Sequence, residues 1–463
     1  MVKINKPVIP RTHEGAKARA FTPAQQLRRA LMNCLLWEDQ FYEDGVAIAE
    51  RVGALVPKVE AETVAAMAIE AREDMKLRHA PLLVVREMAR HESHRGLVAD
   101  TLERVIQRPD ELTEFLAIYW ADALGPMQQR KTRAVSAQAK KGLARAFAKF
   151  DAYQLAKYDR DGAVRLRDVL FITHAKPKDA AQEQVWKQLI DGTLNAPDTW
   201  EVALSAGKDK KATFERLLRE NRLGYLALLR NLRNMESAKV DPALVEDAIL
   251  TRRGAERVLP FRYVAAARAA PGYEAALEKA LLADLARRPK LAGKTLIVVD
   301  VSGSMYGSYM SKQSETNRAT AAASLAAILR ELCEEVRIYA TAGNDSTRVH
   351  ATKLAPPRRG MALVDAIYGQ CQPLGGGGIF LKQVMDYLKK EEGRADRIVV
   401  VTDEQDCGVG SEDSPQNAKP FGRYNYMLNV ASYQNGIGSG VWTRVNGFSE
   451  RVIDWIAAME RAE

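Results

Sequence analysis

The sequence predicts a mainly α-helical protein that ends in an α/β domain of the doubly wound type. Residues 24–288 consist of short amphipathic helical blocks separated by proline or glycine breaks, without a strict sequence repeat. After residue 288, apolar strand-like runs alternate with helical ones, as in parallel sheets with right-handed crossovers. One such run, 296–299, ends abruptly in Asp300, and its unbroken apolar character predicts a strand buried on both faces.

Three regions follow from these patterns. Residues 1–23 are polar and broken by three prolines, which predicts an N-terminal arm. Residues 24–288 predict a solenoid of helix pairs, because so many short helices do not form one compact bundle. Residues 289–463 predict the α/β domain. The strands and helices expected within that domain lie at 319–333 (helix), 336–340 (strand), 381–390 (helix) and 397–401 (strand).

The bulk composition is that of a globular protein with more than one core. The chain has 463 residues, of which 47% are hydrophobic, and single cores usually stop growing near about 250–300 residues. No apolar run approaches the roughly 18 residues needed to span a bilayer, and the first residues lack a signal-peptide core. The four cysteines are scattered without a metal-binding spacing, which indicates a reducing, cytoplasmic setting.

Positive charge is concentrated in the first part of the chain. The net charge is +9, yet residues 294–463 carry 19 basic and 20 acidic side chains, so the excess lies before them. The segment 126–178, which we call the basic segment, holds 13 Lys or Arg against four Asp. Solvated helix faces account for many such runs. With Tyr153, Tyr158 and Phe171 nearby, the concentration equally fits contact with a phosphate backbone and stacking on bases.

A second candidate site lies at the ends of two predicted strands. Asp300, Ser302 and Ser304 place three oxygen-bearing side chains on a tight turn after one strand, and Asp403 ends another apolar run. Doubly wound sheets bind ligands at the carboxyl ends of their strands, and such oxygens suit a hard cation such as Mg²⁺. An ordinary polar turn is the alternative interpretation.

The Asp-x-Ser-x-Ser pattern resembles the metal-ion-dependent adhesion site of von Willebrand factor A-type domains. In that family a Gly-Gly-Thr loop lies between the two aspartates. Here Gly377 and Gly378 stand where the threonine is expected, which removes one oxygen and predicts weaker binding of the divalent cation. The metal ligands that the resemblance implies are Asp300, Ser302, Ser304 and Asp403.

Several short motifs follow one another along the chain. The stretch 157–162, followed by 173–177, contains a helix–turn–helix pattern that ends in Thr-His-Ala-Lys-Pro, and 228–232 reads Leu-Leu-Arg-Asn-Leu. Gly293-Lys294 then leads into the Asp300 turn, and Gly-Phe-Ser follows at 447–449. In this order, the motifs resemble those of the TROVE-domain proteins, which are the Ro autoantigens and their bacterial relatives.

This resemblance implies a monomeric ring of HEAT-like helical repeats that the von Willebrand factor A-like domain closes. It implies that small noncoding Y RNA binds the basic outer face, and that single-stranded 3′ ends of misfolded or unprocessed RNA enter a central hole. The implied role is quality control or decay of noncoding RNA, with a 3′ exoribonuclease, polynucleotide phosphorylase, as the partner in bacterial relatives. The candidate RNA-binding residues are Arg130, Lys131, Arg133, Lys140, Lys141, Lys157, Arg160, Arg165, Arg167, His174, Lys176 and Lys178.

Two other functions remain open at this point. In one, the metal site grips an acidic side chain of a protein partner and the helices act as a spacer, which makes the chain a protein-adhesion module. In the other, Asp300, Asp403 and Asp406 form a metal-dependent nuclease, which we rank lower because nothing indicates a second metal. The sequence lacks a convincing catalytic triad, zinc-protease helix or P-loop lysine, so we expect no enzymatic activity.

Overall fold

The computed structural model resolves the chain into two compact units. The helical unit comprises Asp44–Gly207 with Phe21–Trp37, and the sheet unit consists mainly of Lys208–Glu463. The predicted arm lies outside the described residues except for its last two. The described residues are 22–32, 45–73, 77–121, 134–195, 198–205, 207, 209–307, 316–408, 412–430, 442–446, 452–453, 456 and 460.

The helical unit consists of short helices, and side-chain caps set where several of them begin. At the start of the helix Ala152–Tyr158, Asp151 Oδ1 accepts a hydrogen bond from Gln154 N at 2.7 Å, and Gln154 Oε1 accepts one from Asp151 N at 3.0 Å. This capping box satisfies two donors that the helix itself leaves unpaired. The helices are α1 (Pro23–Met32), α2 (Gly45–Leu55), α3 (Ala61–Glu73), α4 (His79–Arg90), α5 (Val98–Val105), α6 (Pro109–Trp120), α7 (Ala137–Phe147), α8 (Ala152–Tyr158), α9 (Leu166–Thr173), α10 (Ala180–Asp191) and α11 (Trp200–Ser205).

Helices of this unit pack on near neighbours in the chain. Helix α3 contacts α4 and α5, α5 contacts α7, and α7 contacts α9. Leu143 and Phe147 of α7 are fully buried, as their spacing on one helix face predicts. This neighbour-to-neighbour packing agrees with the predicted helix pairs. The ring that the resemblance implies stays a prediction.

The sheet unit contains further helices followed by a six-stranded sheet. Its first elements are α12 (Lys210–Arg219), α13 (Tyr225–Ser237), α14 (Pro242–Thr251), α15 (Phe261–Ala269) and α16 (Glu274–Leu285). The remaining elements are β1 (Leu291–Asp300), α17 (Gly303–Tyr306), α18 (Arg318–Glu331), β2 (Cys333–Asn344), β3 (Val349–Leu354), α19 (Gly360–Tyr368), α20 (Leu381–Glu392), β4 (Ala395–Thr402), β5 (Gly422–Asn429) and β6 (Thr443–Asn446). The mainly helical fold with a C-terminal sheet is therefore confirmed.

The strand order of the sheet fixes where a ligand site can lie. The order is β3-β2-β1-β4-β5-β6, and every neighbouring pair is parallel except β2 with β3. This is the order of doubly wound sheets, in which the direction of winding reverses between β1 and β4. Residues 296–299 of β1 are completely buried, as predicted for a strand covered on both faces. The described residues contain no helix that is both long and apolar enough to cross a membrane.

Helices before the sheet pack directly on helices that cover it. Helix α15 contacts α18, and α16 contacts both α18 and α19. Glu278 of α16 accepts a hydrogen bond from Met361 N at 2.9 Å, which caps the first turn of α19. Secondary structure changes from helix to strand near the predicted boundary at residue 288, whereas the compact units divide near residue 207. The predicted domain ranges remain predictions.

Gly360 gives a direct test of this contact between α16 and α19. Its φ is +53°, and a Cβ there would overlap the Glu278 carboxylate. We expect Gly360→Ala to lower the free energy of unfolding by about 3 kcal/mol, from left-handed strain and lost packing. Gly254→Ala is the matched control, because its φ and ψ of +79° and +13° lie in the left-handed region with nothing within 4 Å of the added Cβ, and we expect about 1 kcal/mol. Urea unfolding measures both, and equal losses would contradict the contact.

Candidate nucleic-acid interface and candidate metal site

The four candidate metal ligands meet at one edge of the sheet. Asp300 is the last residue of β1, and Asp403 directly follows β4, the adjacent parallel strand. Both carboxylates are completely buried, and Ser302 is 1% exposed. The residues therefore lie at the carboxyl ends of the two strands between which the sheet changes its winding direction, as the sequence predicts.

Hydrogen bonds connect these side chains into one group. Asp300 accepts a hydrogen bond from Ser302 N at 2.8 Å and one from Thr402 Oγ1 at 2.6 Å. The Ser302 and Ser304 hydroxyl oxygens are 3.2 Å apart, and Ser304 also hydrogen-bonds Asp403. The turn thus brings two serine hydroxyls next to two carboxylates. An ordinary polar turn has no need for this arrangement.

The two carboxylates repel each other in a buried setting. Burial, followed by the charge of Asp403, raises the pKa of Asp300 to about 7. Burial also raises the pKa of Asp403, although hydrogen bonds from Ser304 and Gln405 N and the charge of Arg318 oppose it. The Arg318 guanidinium, 3% exposed, lies 3.5 Å from Asp403. One buried arginine next to two buried carboxylates leaves negative charge that a cation would stabilise.

The donor set fits a hard cation that keeps much of its water. Mg²⁺ is held in proteins by one or two carboxylates together with neutral oxygens and waters, and the group offers two carboxylates and two hydroxyls. Within the described part of the chain, no cluster of three or more His, Cys, Asp or Glu side chains could hold a metal ion. The four candidate ligands all present oxygen, whereas structural zinc sites are built mainly from cysteine sulfur and histidine nitrogen.

The glycine loop explains why the expected threonine is absent. A Cβ on Gly377 would lie 2.7 Å from both Gly343 O and Asp345 Oδ1, and one on Gly375 would lie 2.7 Å from Gly343 O. A Cβ on Gly378 would overlap the Cys407 sulfur. Glycine is thus required for close packing on the end of β2. Gly377 O also accepts a hydrogen bond from Gly303 N at 3.2 Å, which holds the serine-bearing turn.

Asp406, the third acidic residue of the nuclease alternative, has a structural role. One of its carboxylate oxygens accepts a hydrogen bond from Leu381 N at 2.8 Å, at the first turn of α20, and the other accepts one from Gly408 N at 2.7 Å. The residue therefore caps α20 and holds the adjacent loop. This assignment weakens the case for a three-carboxylate nuclease.

The candidate RNA-binding residues within the described chain lie on and between α7, α8, α9 and α10 of the helical unit. Arg130, Lys131 and Arg133 lie outside the described residues. The exposed members are Lys141, Arg160, Arg167, His174, Lys176 and Lys178, and the partly exposed ones are Lys140, Lys157 and Arg165. Of the exposed cations, Arg160, Arg167, Lys176 and Lys178 form no ion pair with any other described residue.

His174 ends α9 in an unusual backbone conformation. Its φ and ψ are +51° and +40°, and its N–H donates to Leu170 O at 2.9 Å. A left-handed residue at this position is usually glycine, because a Cβ carries strain there. A strained backbone at an exposed histidine directs attention to its side chain as a functional group.

Some of the positively charged side chains in the basic segment already pair with other groups of the protein. Arg145 pairs with Asp100 of α5 at 2.6 Å, and Arg165 pairs with Asp161. Lys149 donates to Ile106 O at 2.5 Å, and burial lowers its pKa. The count of charged residues within the basic segment therefore overstates the positive charge available to a ligand. It leaves out partners such as Asp100 of α5, which lie outside the segment.

The three aromatic residues noted in the basic segment differ in exposure. The guanidinium of Arg108 lies 4.9 Å from the centroid of the half-buried Tyr158 ring, a cation–π contact within the fold. Tyr153 and Phe171 are instead 51% and 57% exposed. Tyr153 and Phe171 therefore offer more ring surface for a base than Tyr158 does.

Comparison with known proteins adds two findings. Residues 191–357 match the model of the TROVE domain family. Among solved structures, the Ro (RSR) protein of Deinococcus radiodurans matches with a TM-score of 0.64 at 19% sequence identity, covering 95% of this chain and 100% of that one. A search of curated proteins found no match. The chain therefore shares its fold with a Ro protein and contains a TROVE-type region.

Proposed function

We propose that this chain is a Ro-type RNA-binding protein whose basic segment holds a small noncoding RNA of the Y RNA class. The observation that carries the proposal is the exposed group of cations and one imidazole on α9 and in the loops before and after it: Arg160, Arg167, His174, Lys176 and Lys178. Lysine and arginine neutralise phosphates, and imidazole hydrogen-bonds or stacks with an exposed base. The TROVE match over residues 191–357 and the shared Ro fold support a Ro-like RNA-binding protein, and the exposed cations support the choice of the basic segment within it.

The same proposal extends to the remaining features that the family resemblance implies. The protein would act in the cytoplasm as a monomeric ring without catalysis of its own, in quality control or decay of noncoding RNA. Single-stranded 3′ ends of misfolded RNA would enter the hole, and polynucleotide phosphorylase or a similar 3′ exoribonuclease would be the protein partner. Asp300, Ser302, Ser304 and Asp403 would hold Mg²⁺, which would neutralise their buried negative charge.

The response to salt and chelator separates this function from protein adhesion through the metal site. If about six phosphates are contacted, affinity for a structured RNA should fall about a thousand-fold between 50 and 200 mM salt, with little effect of EDTA. A metal-bridged protein contact would instead be lost with EDTA. Filter binding of a labelled stem–loop RNA measures both. Salt-independent binding, or no binding at 50 mM salt, would contradict the proposal.

A further inference from the structure

Within the part of the chain that the structure describes, the exposed tyrosine and phenylalanine side chains lie in the basic segment. Among the described residues, the exposed large hydrophobic side chains are two aromatic ones, Tyr153 and Phe171, and five aliphatic ones located elsewhere. Phe171 is the most exposed of these, at 57%. Single exposed hydrophobic residues are ordinary, but the coincidence of both aromatic rings with the most basic part of the chain requires a physical explanation.

The position of Phe171 on α9 defines its neighbours. Val169 and Leu170 are turned into the core, at 0% and 7% exposure. Arg167 and His174 lie one turn before and one turn after Phe171, and both are exposed. Residues spaced by three or four positions share one face of a helix. Arg167 therefore lies on the same face of α9 as Phe171, and His174, the left-handed residue that ends the helix, and Lys176 follow Phe171 within five positions.

The side chains on this face of α9 are suited to bind a polyanion that also carries a flat apolar group. A protein surface would offer Phe171 an apolar partner but would leave the adjacent cations to be desolvated. A continuous RNA duplex would satisfy the cations, yet its bases are already stacked on each other and cannot reach a ring on a helix surface. An unpaired nucleotide satisfies both, because its base can stack on the ring while the flanking phosphates meet the cations.

We propose that Phe171 is the stacking platform for one unpaired base, with Arg167 and Lys176 placed to contact the phosphates beside it. The inference rests on the proposed RNA-binding function and adds a preference for RNA that carries an unpaired nucleotide. The RNA held by the basic segment carries a bulged or looped nucleotide at this point, and a perfect duplex of the same length binds less tightly.

Two synthetic RNAs and four variants test this platform. The RNAs are a blunt duplex and the same duplex with a three-nucleotide bulge, so the helical phosphates are matched. We expect the wild-type protein to bind the bulged RNA at least about ten-fold tighter, in line with the energy of base–aromatic stacking. Phe171→Ala and Phe171→Leu should lose this preference and retain affinity for the blunt duplex. Phe171→Trp should keep the preference.

Controls separate stacking from folding and from the wider function. Leu226→Ala removes another exposed hydrophobic side chain, 42% exposed on α13, and should leave the preference unchanged. Thermal melts should be equal for all variants, because Phe171 is not part of the core. Equal binding of both RNAs by the wild type, or a full preference in Phe171→Leu, would overturn the stacking inference alone. Failure to bind either RNA at 50 mM salt would overturn the proposed function with it.

Discussion

Replacing Lys140, Lys141, Lys176 and Lys178 by glutamine is expected to reduce affinity for structured RNA by about a thousand-fold at 50 mM salt. Each phosphate contact releases close to one counterion, which at this salt concentration contributes about ten-fold in affinity. Four contacts set the upper limit, and partial contact by the half-exposed Lys140 lowers the expected loss. The slope of log affinity against log salt should become shallower by about three.

The control for this variant removes equal charge from the other compact unit. The replaced residues are Lys353, Lys389, Lys390 and Lys419, all exposed and all in the sheet unit. Both four-residue variants have the same net charge, so a general electrostatic effect would weaken them equally. A specific interface requires the first variant to lose far more affinity than the second, and equal losses would exclude the basic segment as the binding surface.

His174 offers a companion variant in which RNA affinity should fall without any loss of stability. His174→Gly relieves the left-handed strain, so the free energy of unfolding should stay equal or rise by up to about 1 kcal/mol. The imidazole is lost at the same time, and RNA affinity should fall about ten-fold or more. A variant that melts at the wild-type temperature and still binds fully would remove His174 from the interface.

The second large effect concerns Asp300 in the absence of divalent cations. Its pKa is raised to about 7 in the folded protein, against about 3.9 for an unperturbed aspartate. The contribution of this carboxyl to the free energy of unfolding is therefore fully present below about pH 4 and is lost as the pH rises through about 7. The total loss is on the order of 4 kcal/mol, since each pKa unit corresponds to about 1.4 kcal/mol.

Asp300→Asn should abolish this loss, because the amide stays neutral at every pH. In EDTA at pH 8 the variant should be more stable than the wild type by several kcal/mol, and the two should converge near pH 4. Asn can still accept the hydrogen bond from Ser302 N, and the Thr402 hydroxyl can turn to accept one from the amide. Urea unfolding from pH 4 to 8 measures the difference, and Asp386→Asn, an exposed carboxylate on α20, is the control.

Magnesium gives the same experiment a second readout. If Asp300 helps hold the cation, 10 mM Mg²⁺ at pH 8 should stabilise the wild type by up to about 3 kcal/mol for a dissociation constant near 0.1 mM. The Asp300→Asn variant should gain nothing comparable. Equal stabilisation of both proteins would remove Asp300 from the metal site, and pH curves that run parallel would contradict its raised pKa.

The strands were predictable because burial on two faces leaves a local signature. Residues 296–299 and 398–401 are uninterrupted apolar runs, the first followed by Asp300 and the second by Thr402 and Asp403, and β1 and β4 lie where those runs predict. Parallel strands align their carboxyl ends, so the meeting of Asp300 and Asp403 followed from the strand assignment alone. The positions of Ser302 and Ser304 followed from their proximity in sequence to Asp300.

Contacts between residues far apart in sequence were not predictable. Arg318 lies 85 positions before Asp403, and an arginine at the start of α18 carries no local signal of a buried charge pair. Asp100 neutralises Arg145 across 45 positions, so a count within the basic segment missed it. The need for glycine at Gly377 depends on the backbone of Gly343, which only the folded sheet places nearby.

The cap that Glu278 provides for α19 has a practical consequence for dissecting the molecule. A recombinant fragment that begins at residue 289 would discard α16, leaving the amide of Met361 without its carboxylate acceptor and baring the apolar flank of α18. Such a fragment should precipitate or unfold at a lower temperature than the whole chain. A metal affinity measured on it would not represent the intact sheet. A truncation that starts just ahead of α12 retains these helices and is the better starting material for isolating the acidic edge.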